Sequence, residues 1–190
     1  EAALSGVTSN PAIFQKAMTS GPAYDAQIAE LAPRKLAAKA LYEELAVLDI
    51  RMACDTLMPV WERTHGADGF VSLEVSPHLA RDGAGTIAAA KRLSSWVQRP
   101  NLLIKVPGTP EGLPAIETLL ADGVAVNITL LFAVEAYEEV ARTYIRALDR
   151  RRSEGKSLDV ASVASFFVSR IDSLVDSLLE KRAEQAGSDA

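Results

Sequence analysis

Five short runs with strand character, separated by longer stretches of helical spacing, constrain this chain more than any other feature. The runs are Gly6 to Asn10, Phe70 to Ser76, Asn101 to Val106, Val124 to Thr129 and Val160 to Val168. Between them Leu41, Leu45, Leu48 and Met52 recur at helical intervals, as do Val134, Tyr137, Ala141, Tyr144 and Leu148. Each set predicts an amphipathic helix with one buried face. Thr109 before Pro110 reads as a helix cap and first-turn proline, with Leu113, Ile116 and Leu120 then sharing a face, and Ile171, Leu174, Val175 and Leu178 mark a last helix. Strand and helix in alternation build a parallel sheet, either doubly wound or closed as a (β/α)8 barrel. No linker or low-complexity segment divides residues 1–190, which predicts a single domain. Five strands in 190 residues give about 38 residues per unit, and eight such units need roughly 300. A barrel reading therefore expects this barrel to be incomplete, truncated at both ends.

Side chains alternate across a strand, so each run splits into two sets. In FVSLEVS the apolar set is Val71, Leu73 and Val75, and the polar set is Ser72, Glu74 and Ser76. In VAVNIT, Val124, Val126 and Ile128 oppose Ala125, Asn127 and Thr129. Lys105 shares its face with Leu103, opposite Ile104 and Val106, while Thr8 and Asn10 oppose Val7 and Ser9. A parallel strand covered on both sides reads apolar on both faces, so a second face that turns polar towards the strand's end asks for an explanation. In a barrel that face looks inward. Glu74, Lys105, Asn127 and Thr129 lie at or near the carboxyl ends of their strands, the side from which barrel enzymes build active sites. The competing reading is a buried Glu74–Lys105 ion pair with no further role. Such pairs cost much desolvation and stabilise little.

Charge narrows the partners. The formal net charge of −5 and a pI near 5.1 argue against nucleic acid or an anionic membrane surface and favour a small soluble metabolite. No apolar run approaches the roughly 18 residues that a membrane crossing needs. The single cysteine, Cys54, cannot form an internal disulfide, which makes a reducing cytoplasm the default compartment. His65 and His78 are not spaced as a metal pair, so no metal is expected.

An amine held out of bulk water is available in neutral form to attack a carbonyl and form a Schiff base, which is a concrete use for Lys105. Once protonated, the imine is an electron sink that permits cleavage or formation of the adjacent carbon–carbon bond. Glu74 could shuttle protons through a water positioned by Thr129, with Asn10 and Asn127 holding substrate hydroxyls. Arg170, in ASFFVSRID, has the planar fork that binds two phosphate oxygens, although an arginine that merely opens a surface helix is the commoner case.

The motifs GVTSNPAIF, VSLEVSP, NLLIKVPGTPEGLPAIE, VNITLLF and SVASFFVSRID, in this order and spacing, resemble transaldolase over nearly the whole chain. The resemblance implies a (β/α)8 TIM barrel of the class I aldolase type, here strands two to six with their helices. It implies transfer of a dihydroxyacetone unit from a ketose phosphate, fructose 6-phosphate or sedoheptulose 7-phosphate, to an aldose phosphate in the pentose phosphate pathway, without metal or organic cofactor. Carried over by position, Lys105 matches the Schiff-base lysine, Glu74 the proton-shuttling glutamate and Thr129 the water-holding threonine. Asn10 and Asn127 match substrate-contacting asparagines, Ser165 a serine near the substrate carbonyl, and Arg170 a phosphate ligand. The resemblance also implies a catalytic aspartate on a strand before the TSNP strand, where these residues offer only EAALS, and a second phosphate-binding arginine beyond the last helix. Asp25, Asp49 and Asp55 fall on predicted helix surfaces and are poor substitutes. Two rival functions remain: a fructose 6-phosphate aldolase-like enzyme that releases free dihydroxyacetone, and an inactive barrel fragment serving as an assembly module. Open strand edges would invite a homo-oligomer or a completing polypeptide segment.

Overall fold

The computed structural model describes residues 4–188, with side chains described through residue 186. Glu1 to Ala3 and the last two residues, within the terminal segments used above, lie outside the described residues. Five strands, β1 (Val7–Thr8), β2 (Val71–Glu74), β3 (Leu102–Pro107), β4 (Val126–Leu131) and β5 (Ser162–Phe166), form one sheet in the order of the chain. All four pairings are parallel. Helices α1 (Pro11–Thr19), α2 (Asp25–Leu31) and α3 (Ala38–Arg63) connect β1 to β2. After that one helix follows each strand: α4 (Gly83–Val97), α5 (Leu113–Ala121), α6 (Val134–Ser153) and α7 (Val168–Ser188). Unbroken sequential order with helical crossovers is the arrangement of a (β/α)8 barrel, of which these strands make an open part.

The apolar sets read from the alternation face the helices. Val71, Leu73, Val75, Leu102, Ile104, Val106, Val126 and Ile128 join one core with Val47, Ile50, Leu57, Leu93, Ile116, Leu119 and Val140. Each such side chain contributes about 1.5–3 kcal/mol on full burial. The opposite set, Ser72, Leu103, Asn127 and Thr129, is also buried but lies outside that core, on the other face of the sheet.

Two helix faces differ from the sequence reading. On α3 the buried stripe is Leu45, Ala46, Val47, Ile50, Cys54 and Leu57, while Leu48 and Met52 are exposed. On α6 it is Val140, Thr143, Ala147 and Arg151, with Val134 and Tyr137 exposed and Tyr144 and Leu148 half-buried. In both cases a small residue, Ala46 or Ala147, is part of the buried stripe, which a reading weighted to large side chains passes over. The turn after β3 also differs. Thr109 caps the turn that leads into α5 and not α5 itself: its hydroxyl accepts the Gly112 N–H at 3.0 Å and donates to the Ala80 carbonyl at 2.7 Å, its carbonyl accepts the Leu113 N–H at 3.1 Å, and α5 begins at Leu113 with Pro114 in its first turn.

Below the sheet, at the amino ends of the strands, Asn101 is fully buried and its amide donates to the Cys54 and Gly69 carbonyls, both at 2.9 Å. Gly69 has φ +84°, and a Cβ there would lie 2.4 Å from the Trp61 backbone nitrogen. Gly69→Ala is expected to destabilise the fold by at least about 2 kcal/mol, combining left-handed strain with a backbone clash, as read from urea unfolding. Cys54 is completely buried, and burial first, then the nearby Asp55 carboxylate, push its thiol up to about 12. A raised thiol pKa means that almost no thiolate exists at pH 8, so Ellman's reagent at that pH is expected to label Cys54 only after unfolding.

Candidate functional site

Lys105 sits in β3 between Ile104 and Val106, both fully buried on the helix side, so alternation turns its side chain to the opposite, inward face. Parallel pairing places Glu74 of β2 and Asn127 of β4 directly beside it in register. The Lys105 Nζ lies 3.1 Å from Glu74 Oε2, with side chains 11% and 21% exposed, and donates to the Ser9 carbonyl at 2.8 Å. One donor of the ammonium is thus taken up by the Ser9 carbonyl, and the charge itself is paired with Glu74 across the strand. The position is dry enough for Coulomb attraction to exceed its surface value and open enough for a small carbonyl compound to reach the nitrogen.

Beside this pair runs a chain of neutral hydrogen bonds. The Ser165 hydroxyl of β5 donates to Asn127 Oδ1 at 2.6 Å, and Asn127 Nδ2 donates to the Ser72 hydroxyl of β2 at 3.0 Å. Ser9 Oγ donates to the Ser72 carbonyl at 2.7 Å. That Asn127 reaches Ser72 across the intervening strand reports the curvature of the sheet. A hollow of about 560 Å³ opens below these residues towards the amino ends of the strands, lined by Gly6, Phe70, Ser72, Leu103, Asn127 and Ala161 but not by Lys105, Glu74 or Thr129. Thr129 pairs in register with Pro107 and is 5% exposed, and its hydroxyl is buried without a hydrogen-bond partner among the described residues. A buried hydroxyl left unmatched costs about 1–3 kcal/mol, and this one stands on the same inward face as Lys105.

The remaining two residues lie further out. Asn10 follows Ser9 directly and uses its side-chain oxygen to accept the Ile13 N–H at 2.8 Å, capping α1 with Pro11 in the first turn. Arg170, in the first turn of α7, is exposed, with its guanidinium carbon 4.4 Å from the centre of the Phe167 ring. The structure therefore joins Lys105 to Glu74 and Asn127 to Ser165, sets these pairs side by side with Thr129 near the strand ends, and places Asn10 and Arg170 at opposite margins. Asp49 accepts the Tyr24 hydroxyl, Asp55 pairs with Arg99 at 2.5 Å, and Asp25 opens α2, so none of the three enters this group.

Three contributors escaped the sequence reading. Ser9 acts through its carbonyl, which every residue possesses. Ser72 had the inward polar position as its only signal. Tyr42 of α3 lines a cavity of about 330 Å³ together with Glu74, Val47, Leu73, His78 and Leu93. Burial first, then the carboxylates of Glu74 and Glu43, raise its phenol above the ordinary value. No helix among the described residues is long and apolar enough to cross a membrane.

Chemically, an amine beside a carboxylate, a matched amide–hydroxyl network and an unmatched hydroxyl can form an imine, move a proton and hold a polyol. A double-mutant cycle with Lys105→Met and Glu74→Gln is expected to give a coupling of roughly 1–3 kcal/mol in urea unfolding, because either single change strands the other charge in a half-dry site. Coupling near zero would mean that water screens the pair as it does a surface contact.

The family model for transaldolase/fructose-6-phosphate aldolase matches residues 1–190. The chain is 50% identical over 184 residues to a protein of Mycobacterium tuberculosis named transaldolase, covering 96% of this chain and 48% of that one. It is 48% identical over 181 residues to a Trichodesmium erythraeum protein of the same name, covering 95% and 48%. A Thiobacillus denitrificans transaldolase is 50% identical over 180 residues, covering 94% and 50%. The chain spans about half the length of the curated relatives it matches.

Proposed function

The chain belongs to the transaldolase/fructose-6-phosphate aldolase family, and we propose that it carries the Schiff-base centre of a transaldolase, moving a dihydroxyacetone unit between sugar phosphates. The observation that supports this most is the Lys105 amine, 3.1 Å from Glu74 and bonded to the Ser9 carbonyl on the inward face at the carboxyl ends of the strands. In this reading the Lys105 ammonium passes a proton to the Glu74 carboxylate, and the amine so freed attacks the C2 ketone of fructose 6-phosphate or sedoheptulose 7-phosphate. Glu74 delivers a proton through a water held by Thr129, the hydroxyl departs as water, and an iminium remains. The C3–C4 electron pair then moves into the iminium, and the C4 hydroxyl gives up its proton as the aldose phosphate leaves. That proton goes to the carboxylate which the family resemblance places on a strand before Gly6. An acceptor aldose phosphate reverses the sequence. Asn10, Asn127 and Ser165 hold the hydroxyls of the three-carbon unit, and Arg170 binds the phosphate.

The chemistry requires no metal or organic cofactor. Placement in the pentose phosphate pathway and in the cytoplasm follows from this reading and from the lone buried cysteine. The single domain of residues 1–190 is part of a barrel in this account, completed by a further polypeptide segment or by a second copy. Its length beside the relatives supports that, as do the two outer strands and the exposed Leu174, Val175, Leu178 and Leu179 of α7. The fructose 6-phosphate aldolase reading shares every step up to release, and free dihydroxyacetone formed without an acceptor would favour it.

Borohydride reduction in the presence of fructose 6-phosphate, followed by intact mass and peptide mapping, tests the proposal. A reduced three-carbon adduct on Lys105 is expected, absent in Lys105→Ala and at least tenfold slower to form in Glu74→Gln. An adduct that persists in Lys105→Ala would remove the assignment.

A further inference from the structure

We propose that Phe132, Phe167 and the bulge at Leu130 form an aromatic platform that pre-aims Arg170, making Phe132 a positioning residue for the phosphate group. The inference rests on Arg170 being the phosphate ligand, and it adds the residues that determine how well that arginine binds. The Phe132 and Phe167 rings are stacked at 4.9 Å between centres and 20° between planes, and Arg170 lies over Phe167 at 4.4 Å. Three side chains from the ends of β4 and β5 and the start of α7 thus meet around the Phe167 ring.

The backbone beneath these rings is irregular in a way that serves them. Ile128 pairs with Ala164 and Leu131 with Phe166, so three steps along β4 match two along β5. The extra residue is a bulge, and Leu130 within it has φ +63°. Leucine gains nothing from that conformation, and strain of this kind persists where surrounding structure holds it. Strict alternation would send Leu130 to the helix side with Ile128. Instead Leu130 is 44% exposed, Leu131 is fully buried, and the Leu131 carbonyl accepts the Phe167 N–H at 2.9 Å. The bulge therefore reverses the facing of the strand after Thr129 and brings Phe132 to Phe167. Phe132 is itself 43% exposed, which does not suit a ring whose role is to fill the core.

A free arginine samples many rotamers, and binding through it costs the entropy of fixing them. Placing the guanidinium over a ring restricts that freedom while its N–H groups remain free for two oxygens of a phosphate. Phe132 matters because a ring backed by a second ring keeps its orientation.

The test uses the 190-residue chain as wild type, Phe132→Ala and Phe132→Trp. Calorimetric titration with fructose 6-phosphate reads the phosphate ester, and borohydride trapping of dihydroxyacetone on Lys105 reads imine formation without a phosphate. In Phe132→Ala the Kd for fructose 6-phosphate is expected to rise about fivefold relative to the half-saturating dihydroxyacetone concentration, and Phe132→Trp to restore it. Equal affinity in all three proteins, no binding by wild type, or parallel loss for both compounds would each overturn the platform. Dihydroxyacetone trapped by none of them would instead remove the Schiff-base reading of Lys105, and the fructose 6-phosphate titration would still decide the role of Phe132.

Discussion

The contact of Lys105 with Glu74 and with the Ser9 carbonyl fixes the arrangement of the first three strands. It ties β3 to β2 and to the end of β1, which has only two residues and little pairing of its own. It also sets register. Sliding β3 by one residue would turn Lys105 into the core occupied by Ile104 and Val106 and expel those side chains onto the inward face. A charged amine in hydrocarbon costs far more than the apolar contacts on either side could recover. The residue with the most chemical use is therefore also the one that penalises a wrong fold most heavily.

The inward face was legible because alternation has a period of two and the helix side is strictly apolar. Once Ile104 and Val106 are assigned to the core, Lys105 has nowhere else to go, and the same logic yields Glu74, Asn127 and Thr129. Helix faces were less legible. The spacing of Leu41, Leu45, Leu48 and Met52 weighs large residues, whereas burial on α3 follows a stripe that includes the small Ala46. The bulge at Leu130 left no trace either. The residues between the irregular pairings, Ile128 to Leu131, include none of the glycine or asparagine that positive φ favours, and only the pairing with β5 reveals the extra residue. Ser9 is illegible in principle, since a backbone carbonyl is recruited by position and not by side chain.

Burial sorts the residues of the site into two groups. Lys105, Glu74, Asn127 and Thr129 stand on strands with neighbours on both sides and helices behind them. Their relative positions are set by the ladder and the core, which are nearly rigid at native packing density. Asn10 and Arg170 stand near the two outermost strands, β1 and β5, where Val7 and Val163 are 39% and 42% exposed. On the proposed roles this divides the reaction. The groups that form the imine and carry its protons, with Asn127 among the hydroxyl contacts, are held by completed structure, whereas Asn10 and the phosphate ligand Arg170 are held by margins.

That division bears on what a completing segment would change. Covering β1, β5 and the apolar face of α7 would remove solvent from Asn10 and Arg170, raise the strength of their hydrogen bonds to a sugar phosphate and restrict the carboxyl and amino ends of the adjoining strands. It would leave the Lys105–Glu74 distance, fixed by the β2–β3 register, almost untouched. The aromatic pair under Arg170 fits this view, because the margin at β5 carries its own means of holding a long cationic side chain, whereas Asn10 at the β1 margin relies on a helix cap for orientation. On the proposed function, completion would therefore act on binding of the polar tail of the substrate more than on the reactivity of the amine, and more at the β1 margin than at the β5 margin.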